Sequence, residues 1–231
     1  MRQTSSHIRT LEDLLARDDA VDRAVCGCSL AGPEQTRLAD QGAHDPTPTP
    51  YFILQQLFSH FSFDEDSHLL DVGCGTGRVL AHFLREGYPG RATGIELDPE
   101  LAACAAAWAR RHDNLRVVQG DVLDLDLSGF TDFYLFNPFD AQVLVKFICS
   151  IEAQVRRAVT VVHMSDNGDT WWYQGRSGWS EVASGRIQHY ANDRGYPIEV
   201  YEYPQHYTVW RYDPISFSTD ALSSLGELPF A

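Results

Sequence analysis

The sequence predicts an α/β protein with a doubly wound, mostly parallel, seven-stranded sheet, an antiparallel C-terminal hairpin and an N-terminal helical extension. Three observations support this prediction. Apolar runs alternate with helical patterns from residue 67 onward, and a glycine-rich turn directly follows the first run. Two strand-like runs near the C-terminus are joined by a link too short for a helical crossover.

The N-terminal residues have helical rather than strand periodicity. Residues 10–25 carry apolar side chains at the spacing of an amphipathic helix. A polar, proline-bearing stretch follows, and Thr49 as N-cap with Pro50 as first helical residue predicts a second helix through Phe61. We therefore expect an extension and linker over residues 1–49.

The remaining elements follow in order along the chain. The predicted parallel strands are Leu69–Gly73, Ala92–Leu97, Leu115–Gln119, Asp132–Asn137 and Ala158–His163. The predicted helices between them are Thr76–Glu86, Pro99–His112 and Ala141–Val155. The predicted closing hairpin pairs Ile198–Tyr203 with Tyr207–Tyr212. We expect the sheet domain over residues 50–212 and a tail over 213–231.

Composition limits the classes of partner. A chain of 231 residues with 44% hydrophobic content has enough apolar material for one substantial core. Its net charge is −14, and contacts to phosphates need clustered Lys and Arg side chains. We therefore expect no nucleic-acid partner and a cationic or neutral acceptor instead, either a small molecule or a protein.

Cysteine usage and hydropathy indicate the compartment. The five cysteines lack the spacing of a metal site, so we expect no bound metal. Free thiols are typical of a reducing cytosol, and neither a signal peptide nor a long apolar run occurs. We expect a cytoplasmic protein without membrane contact. The sequence does not indicate an oligomeric state.

Residues 68–78 predict a buried strand, a glycine turn and a helix, which together form a nucleotide-like cofactor site. The dinucleotide fingerprint G-x-G-x-x-G fails, because its sixth position counted from Gly73 is Arg78. A phosphate-binding P-loop is excluded as well, since no Gly-Lys-Ser/Thr follows. The spacing is instead Asp-x-Gly-x-Gly-x-Gly over residues 71–77.

This spacing resembles the first motif of class I S-adenosylmethionine-dependent methyltransferases. Gly94–Pro99 is similar to the second-strand motif of that family, Gln119–Val122 to the third motif, and Phe136–Phe139 to the acceptor-side motif. Residues 50–54, 73–78 and 137–139 also resemble, more loosely, small and poorly characterised bacterial members of the family. The resemblance covers roughly residues 50–212 and implies S-adenosylmethionine as the cofactor.

The resemblance also implies roles for individual residues. Glu96 would accept hydrogen bonds from the ribose hydroxyls, and Asp71 would anchor the turn or the cofactor's amino group. Leu97 and Val122 would flank the adenine. Asp121 would accept a hydrogen bond from the adenine amino group. The remaining residues expected at the cofactor are Gly73, Cys74, Gly75, Gly77, Asn137 and Tyr51.

Three residues are candidates on the acceptor side. Asn137 would orient the acceptor, although Asn137-Pro138-Phe139-Asp140 lacks the second proline of the amino-methyltransferase motif. Asp140 and His163 are the candidates for a general base. The alternative for Asn137-Pro138 is a simple turn that caps a helix, and a lone His such as His163 can equally be structural.

The expected function is methyl transfer from S-adenosylmethionine to an N or O nucleophile of a small-molecule or protein acceptor. Two alternatives remain open from the sequence. One is a non-catalytic protein that binds the cofactor or serves as a scaffold. The other is aminopropyl transfer, which is disfavoured because Asn137 cannot deprotonate an amine.

Overall fold

The computed structural model describes residues 8–33, 35–165, 169–192 and 194–214. The helices are α1 (Leu11–Cys26), α2 (Tyr51–Phe58), α3 (Arg78–Glu86), α4 (Pro99–Ala109) and α5 (Ala141–Gln154). The strands are β1 (His68–Val72), β2 (Arg91–Glu96), β3 (Leu115–Gln119), β4 (Asp132–Phe136), β5 (Val159–Met164), β6 (Trp179–Ile187), β7 (His189–Ala191), β8 (Pro197–Glu199) and β9 (Gln205–Tyr212).

Seven strands form one sheet in the order β3-β2-β1-β4-β5-β9-β6. The first five pair in parallel, whereas β9 lies antiparallel between β5 and β6. The predicted fold class is therefore confirmed. Chain order reverses between β1 and β4, and the crevice beyond the carboxyl ends of such strands is where doubly wound folds bind ligands.

The predicted partner of the last strand is wrong. β9 pairs with β6, whereas only residues 198 and 199 of the predicted run Ile198–Tyr203 lie in a strand. That strand, β8, pairs with β7 in a separate antiparallel hairpin. β6 is not predicted from the sequence, because Gly185 interrupts its strand pattern. Glycine is nevertheless needed at this position, since a Cβ there would come within 2.7 Å of the Tyr207 ring. Residues 215–231 of the predicted tail lie outside the described residues.

The N-terminal extension packs onto the sheet domain. α1 begins after a capping box between Thr10 and Asp13 and contacts α3. α2 begins one residue later than predicted, with Pro50 rather than Thr49 as its N-cap. The Thr49 hydroxyl instead forms a buried hydrogen bond of 2.9 Å with the Tyr134 hydroxyl.

Among the described residues, no helix has both the length and the apolar character needed to cross a bilayer. Within the same ranges, no cluster of three or more His, Cys, Asp or Glu side chains has the arrangement of a metal site.

Candidate functional site

A cleft opens at the carboxyl ends of β1, β2 and β4, where the topology predicts a ligand. Its empty volume is about 1260 Å³ including the open solvent at its mouth, which is ample for a nucleoside-sized molecule. The charged side chains that line it are Asp45, Asp71, Glu96, Asp98, Asp121 and Arg78. This excess of carboxylates favours a ligand with positive charge.

The glycine turn forms one wall of this cleft and is anchored to β2. The backbone N–H groups of Gly73 and Cys74 both donate to the Ile95 carbonyl, at 2.9 and 3.0 Å. Gly73 has a left-handed φ of +72°, and a Cβ there would come within 2.7 Å of Pro138 Cβ. Glycine at this position therefore lets the turn touch the segment that follows β4.

Glu96 ends β2 and holds the other side of the turn. Its Oε2 accepts the Gly75 N–H at 2.7 Å, and its Oε1 accepts the Asp98 N–H at 2.9 Å. Burial raises the pKa of this carboxyl. Each oxygen retains one lone pair, so Glu96 can still accept two hydroxyl groups from a ligand in the cleft.

Asp71 lies at the floor of the cleft and is 2% exposed. Its Oδ2 is buried without a hydrogen-bond partner among the described residues. Burial, with a smaller contribution from the nearby Glu96 carboxylate, raises the pKa of Asp71 well above its usual range. A buried carboxylate oxygen without a partner is costly, and a ligand that brings an N–H donor or a cation would satisfy it.

Leu97, Asp121 and Val122 line the cleft beyond Glu96. Val122 is buried, and Leu97 is half-buried. The Asp121 side chain caps a short 3-10 helix by accepting the Leu123 N–H at 2.9 Å. Its second oxygen is left for a ligand.

Cys74 and Gly77 pack the turn against neighbouring elements, and Cys74 also lines the cleft. The Cys74 side chain packs where a Cβ on Gly94 would lie 2.6 Å from its sulfur. Gly77 is not among the residues that line the cleft, and a Cβ on it would come within 2.9 Å of the Trp108 ring. Gly75 lines the cleft directly.

Asn137 follows β4 at the opposite end of the cleft. It is one of two described non-glycine residues with positive φ, at +41°, and its neighbours Phe136, Pro138 and Phe139 line the cleft. The Asn137 carbonyl accepts a 2.9 Å hydrogen bond from Nδ1 of His44. A strained backbone here points to a constrained local geometry.

Besides Gly77 and Asn137, three further predicted site residues do not line the cleft. Tyr51 is 2% exposed and donates its hydroxyl to Asp22 Oδ1 at 2.8 Å. Asp140 is the N-cap of α5 and accepts the N–H groups of residues 142 and 143. His163 is buried in the middle of the sheet, where its ring lies beside Tyr173. These contacts engage the Tyr51 hydroxyl, one Asp140 oxygen and the His163 ring in capping and packing rather than at the cleft.

The part of the chain that covers the cleft has no recognisable signal in the sequence. We call residues 35–49 the cover segment. Arg37 joins it to the start of α4 through ion pairs with Asp98 and Glu100 at 3.3 and 2.7 Å. At its other end, His44 donates its backbone N–H to the Pro138 carbonyl at 3.1 Å. A polar, proline-bearing stretch has no periodicity, so only the tertiary structure reveals these contacts.

Arg78 lines the cleft beside the cover segment but is not a free cation. Its Nη2 and Nε contact the two carboxylate oxygens of Asp22 at 2.6 and 3.1 Å, and both side chains are buried. α1 therefore neutralises the one arginine that lines the cleft among the described residues.

The chain is similar to methyltransferases that act on different acceptors. It is 42% identical over 80 residues to a tRNA1(Val) (adenine(37)-N6)-methyltransferase of Porphyromonas gingivalis, over 31% of each chain. It is 39% identical over 71 residues to a trans-aconitate 2-methyltransferase of Deinococcus radiodurans, over 31% of this chain and 26% of the relative. The aligned parts span less than a third of the length of these relatives.

A solved structure shares the fold. An RNA methyltransferase of Salinibacter ruber, solved in complex with S-adenosyl-L-homocysteine, matches with a TM-score of 0.51 and 22% identity, over 80% of this chain and 98% of that one. Together with the tRNA methyltransferase relative, it overturns the expectation that nucleic acid is excluded as a partner. Net charge was a poor guide, because a whole-chain sum says little about a local binding surface.

Residues 69–162 match a family model described as a methyltransferase domain. The matched range runs from β1 to β5 and contains the glycine turn, Glu96, Asp121 and Asn137. The cofactor of this class is S-adenosylmethionine, and the orphaned Asp71 oxygen with the carboxylate-rich lining suits a molecule that carries a sulfonium and an ammonium group. Residues 69–162 are therefore similar to a methyltransferase domain, and the described fold is the Rossmann-like fold of such methyltransferases.

Proposed function

We propose that the chain transfers a methyl group from S-adenosylmethionine to a nitrogen or oxygen nucleophile of an acceptor that is a small molecule, a protein or a nucleic acid. The observation that carries the proposal is the continuity of the cleft, which runs from Glu96 past the glycine turn to the segment after Asn137. Donor groups and acceptor-side groups therefore face one shared space. The cofactor supplies an already activated methyl group on a sulfonium.

The donor end has two carboxylates with complementary tasks. Glu96 accepts the ribose hydroxyls while the Gly75 and Asp98 N–H groups hold its carboxylate in place. Asp71 receives the α-amino group of the cofactor with its otherwise unpaired Oδ2. Charge-assisted hydrogen bonds of this kind contribute on the order of 1.5–3 kcal/mol each.

The adenine lies between Leu97 and Val122, with its amino group directed to Asp121. All three residues line the cleft on the side where β2 and β3 end. The narrow turn at Gly73 and Gly75 leaves room for the ribose and the methionine chain against bare backbone. Tyr51 has no part in this arrangement, because its hydroxyl is bound to Asp22.

At the acceptor end, Asn137 sets the backbone that holds Pro138 and Phe139 in the cleft wall. Positioning supplies most of the catalysis, because an in-line approach of the nucleophile can contribute several kcal/mol to lowering the barrier. Asp140 takes no part as a base, since its carboxylate caps α5.

A non-catalytic binding protein is the second candidate. It is supported by the cover segment, whose ion pairs and backbone hydrogen bonds join both ends of the cleft. Aminopropyl transfer has no support at the acceptor end, because the residue that follows β4 is Asn137, which cannot deprotonate an amine.

A radiolabelled-methyl experiment tests the proposal. The purified chain is incubated with methyl-tritiated S-adenosylmethionine and, separately, with total RNA, total protein and a small-molecule extract from cells of the source organism. We expect one pool to acquire label with the wild type and not with Asp71→Asn. If S-adenosylhomocysteine binds but no pool is labelled, the binding-protein alternative replaces the proposal. The pool that acquires label identifies the acceptor class.

A further inference from the structure

His44 lies where the cover segment meets the acceptor side of the cleft, and it lines that cleft. Its side chain is exposed, and its Nδ1 is 2.9 Å from the Asn137 carbonyl oxygen. A carbonyl oxygen can only accept, so Nδ1 carries the proton in this contact. The other ring nitrogen, Nε2, is then the basic one, and it has no hydrogen-bond partner among the described residues.

The backbone around His44 holds the ring in this position. Its own N–H donates to the Pro138 carbonyl, and the Asp140 N–H donates to the Gly42 carbonyl at 3.1 Å each. Ala43 and Phe139 form an antiparallel bridge between these two hydrogen bonds. This two-bond bridge and the Nδ1 contact together hold His44 against the acceptor-side motif, so its imidazole is oriented before a ligand arrives.

These contacts also change what the acceptor motif offers. The carbonyls of Asn137 and Pro138 both accept hydrogen bonds from His44 rather than pointing unpaired into the cleft. A basic side chain at this position can accept a hydrogen bond, and then the proton, from the methyl acceptor, whereas the two carbonyls are already bound to His44. Neither Asp140 nor His163 can provide it, because the first caps α5 and the second is buried within the sheet.

We propose that His44 is the general base for the acceptor, an inference that rests on the proposed methyl transfer. The acceptor N–H or O–H gives its proton to Nε2 of His44, and the lone pair of that N or O forms the new bond to the methyl carbon. The carbon–sulfur bond breaks, and its electron pair stays on the sulfur as a neutral thioether. His44 becomes an imidazolium whose charge the Asn137 carbonyl stabilises, and the exposed ring returns the proton to water.

Two substitutions separate the base from its structural contact. In His44→Asn the side-chain amide can still donate to the Asn137 carbonyl, but no basic nitrogen remains. In His44→Ala both are lost, and the vacated space is open to free imidazole from solvent. His189→Asn is the matched control, because His189 is an exposed histidine in β7 that does not line the cleft.

The kinetic test uses whichever acceptor pool the wild type labels. We expect His44→Asn and His44→Ala to transfer methyl at least ~100-fold more slowly, as for loss of a general base. Their affinity for S-adenosylhomocysteine should stay within about threefold of the wild type, since His44 is placed at the acceptor end. Free imidazole should restore at least ~10% of the lost rate to His44→Ala and leave the control unchanged. A wild-type rate in His44→Asn, or no response of His44→Ala to imidazole, overturns the proposal.

A second measurement needs no acceptor. Nitrogen-15 NMR of histidine-labelled protein reports the tautomer of each ring, and the His44 signal is identified by its loss in His44→Asn. The proposal requires Nδ1 protonated and Nε2 free in the neutral ring. A proton on Nε2 overturns it even if methyl transfer is confirmed. Absence of label from every pool refutes the proposed function, and the tautomer result still decides whether His44 has the stated geometry.

Discussion

Arg78 and Asp22 form a bidentate, buried ion pair, with Nη2–Oδ2 at 2.6 Å and Nε–Oδ1 at 3.1 Å. It joins the N-terminal extension to the first residue of the helix that follows the glycine turn. Asp22 also accepts the Tyr51 hydroxyl and the Leu30 N–H. One carboxylate therefore connects α1, the chain leading to the cover segment, α2 and α3.

Asp22→Asn should destabilise the fold by about 3–5 kcal/mol, because it leaves the Arg78 guanidinium buried without its counter-ion. The matched control lies in the same helix. Arg23 and Asp19 form an exposed pair at 2.8 Å with 62% and 38% of their side chains exposed, so Asp19→Asn should cost far less stability than Asp22→Asn. Urea unfolding measures both free energies. Equal costs would mean that burial does not set the strength of the Arg78 contact.

The parallel half of the sheet could be predicted because the signals for its strands lie in neighbouring residues of the sequence. Each strand there is a short apolar run followed by a cap or a glycine, so Asp98 before Pro99 and Gly73 after Val72 mark element ends directly. The ligand-facing role of Glu96 follows from the same register, since a residue that ends a parallel strand lies at the crevice.

Contacts between distant segments could not be read in this way. His44 meets Asn137 across 93 positions, and Asp22 meets Arg78 across 56. Nothing in the local pattern distinguishes a buried Asp22 from the exposed Asp19 in the same amphipathic helix. The helical spacing of Tyr51 likewise predicts that its side chain is buried. It does not reveal that the Asp22 carboxylate binds the Tyr51 hydroxyl.

Glu96→Gln should weaken binding of S-adenosylhomocysteine about tenfold to a hundredfold. The amide keeps one acceptor oxygen, but its NH₂ group must face either the Gly75 or the Asp98 N–H, both of which donate to Glu96. Isothermal titration calorimetry measures the affinity.

Glu100→Gln is the control for this measurement. Glu100 is 72% exposed and pairs with Arg37 at the start of α4, outside the cleft lining. Its substitution should change the affinity less than about threefold. Unchanged binding by Glu96→Gln would remove Glu96 from the proposed ribose contact.

Asp71→Asn should move binding and stability in opposite directions. Burial raises the pKa of Asp71, so at neutral pH its ionised form costs the ligand-free fold some stability. The amide removes that charge, and the free energy of unfolding of the free protein should rise by on the order of 1 kcal/mol. Affinity for S-adenosylhomocysteine should fall at least ~10-fold, because the partner of the ammonium group is lost.

Asp66→Asn controls for a general effect of neutralising an aspartate, since Asp66 is exposed in the loop before β1. It should change neither quantity measurably. Loss of stability together with loss of binding in Asp71→Asn would indicate that Asp71 only anchors the turn.

His82 in α3 should make the fold sensitive to acid. Its ring is fully buried near Tyr51, Phe58 and Tyr88, and neither nitrogen has a partner among the described residues. Burial, with a smaller contribution from Arg85, lowers its pKa to about 3. Unfolded histidine has a pKa of about 6.5, so the neutral ring costs nothing above that pH. As the pH falls from about 6.5 toward about 3, the unfolded state takes up a proton that the fold cannot, and stability is lost.

By about pH 5 this loss amounts to about 2 kcal/mol relative to about pH 7.5. His82→Leu removes the titrating group at similar volume, so its unfolding free energy should fall about 2 kcal/mol less than the wild type over that range. His189→Gln, at an exposed position in β7, should keep the wild-type pH dependence. Urea unfolding at the two pH values decides the matter. If the unfolding free energy declines equally in His82→Leu and the wild type, another group is responsible for the acid sensitivity.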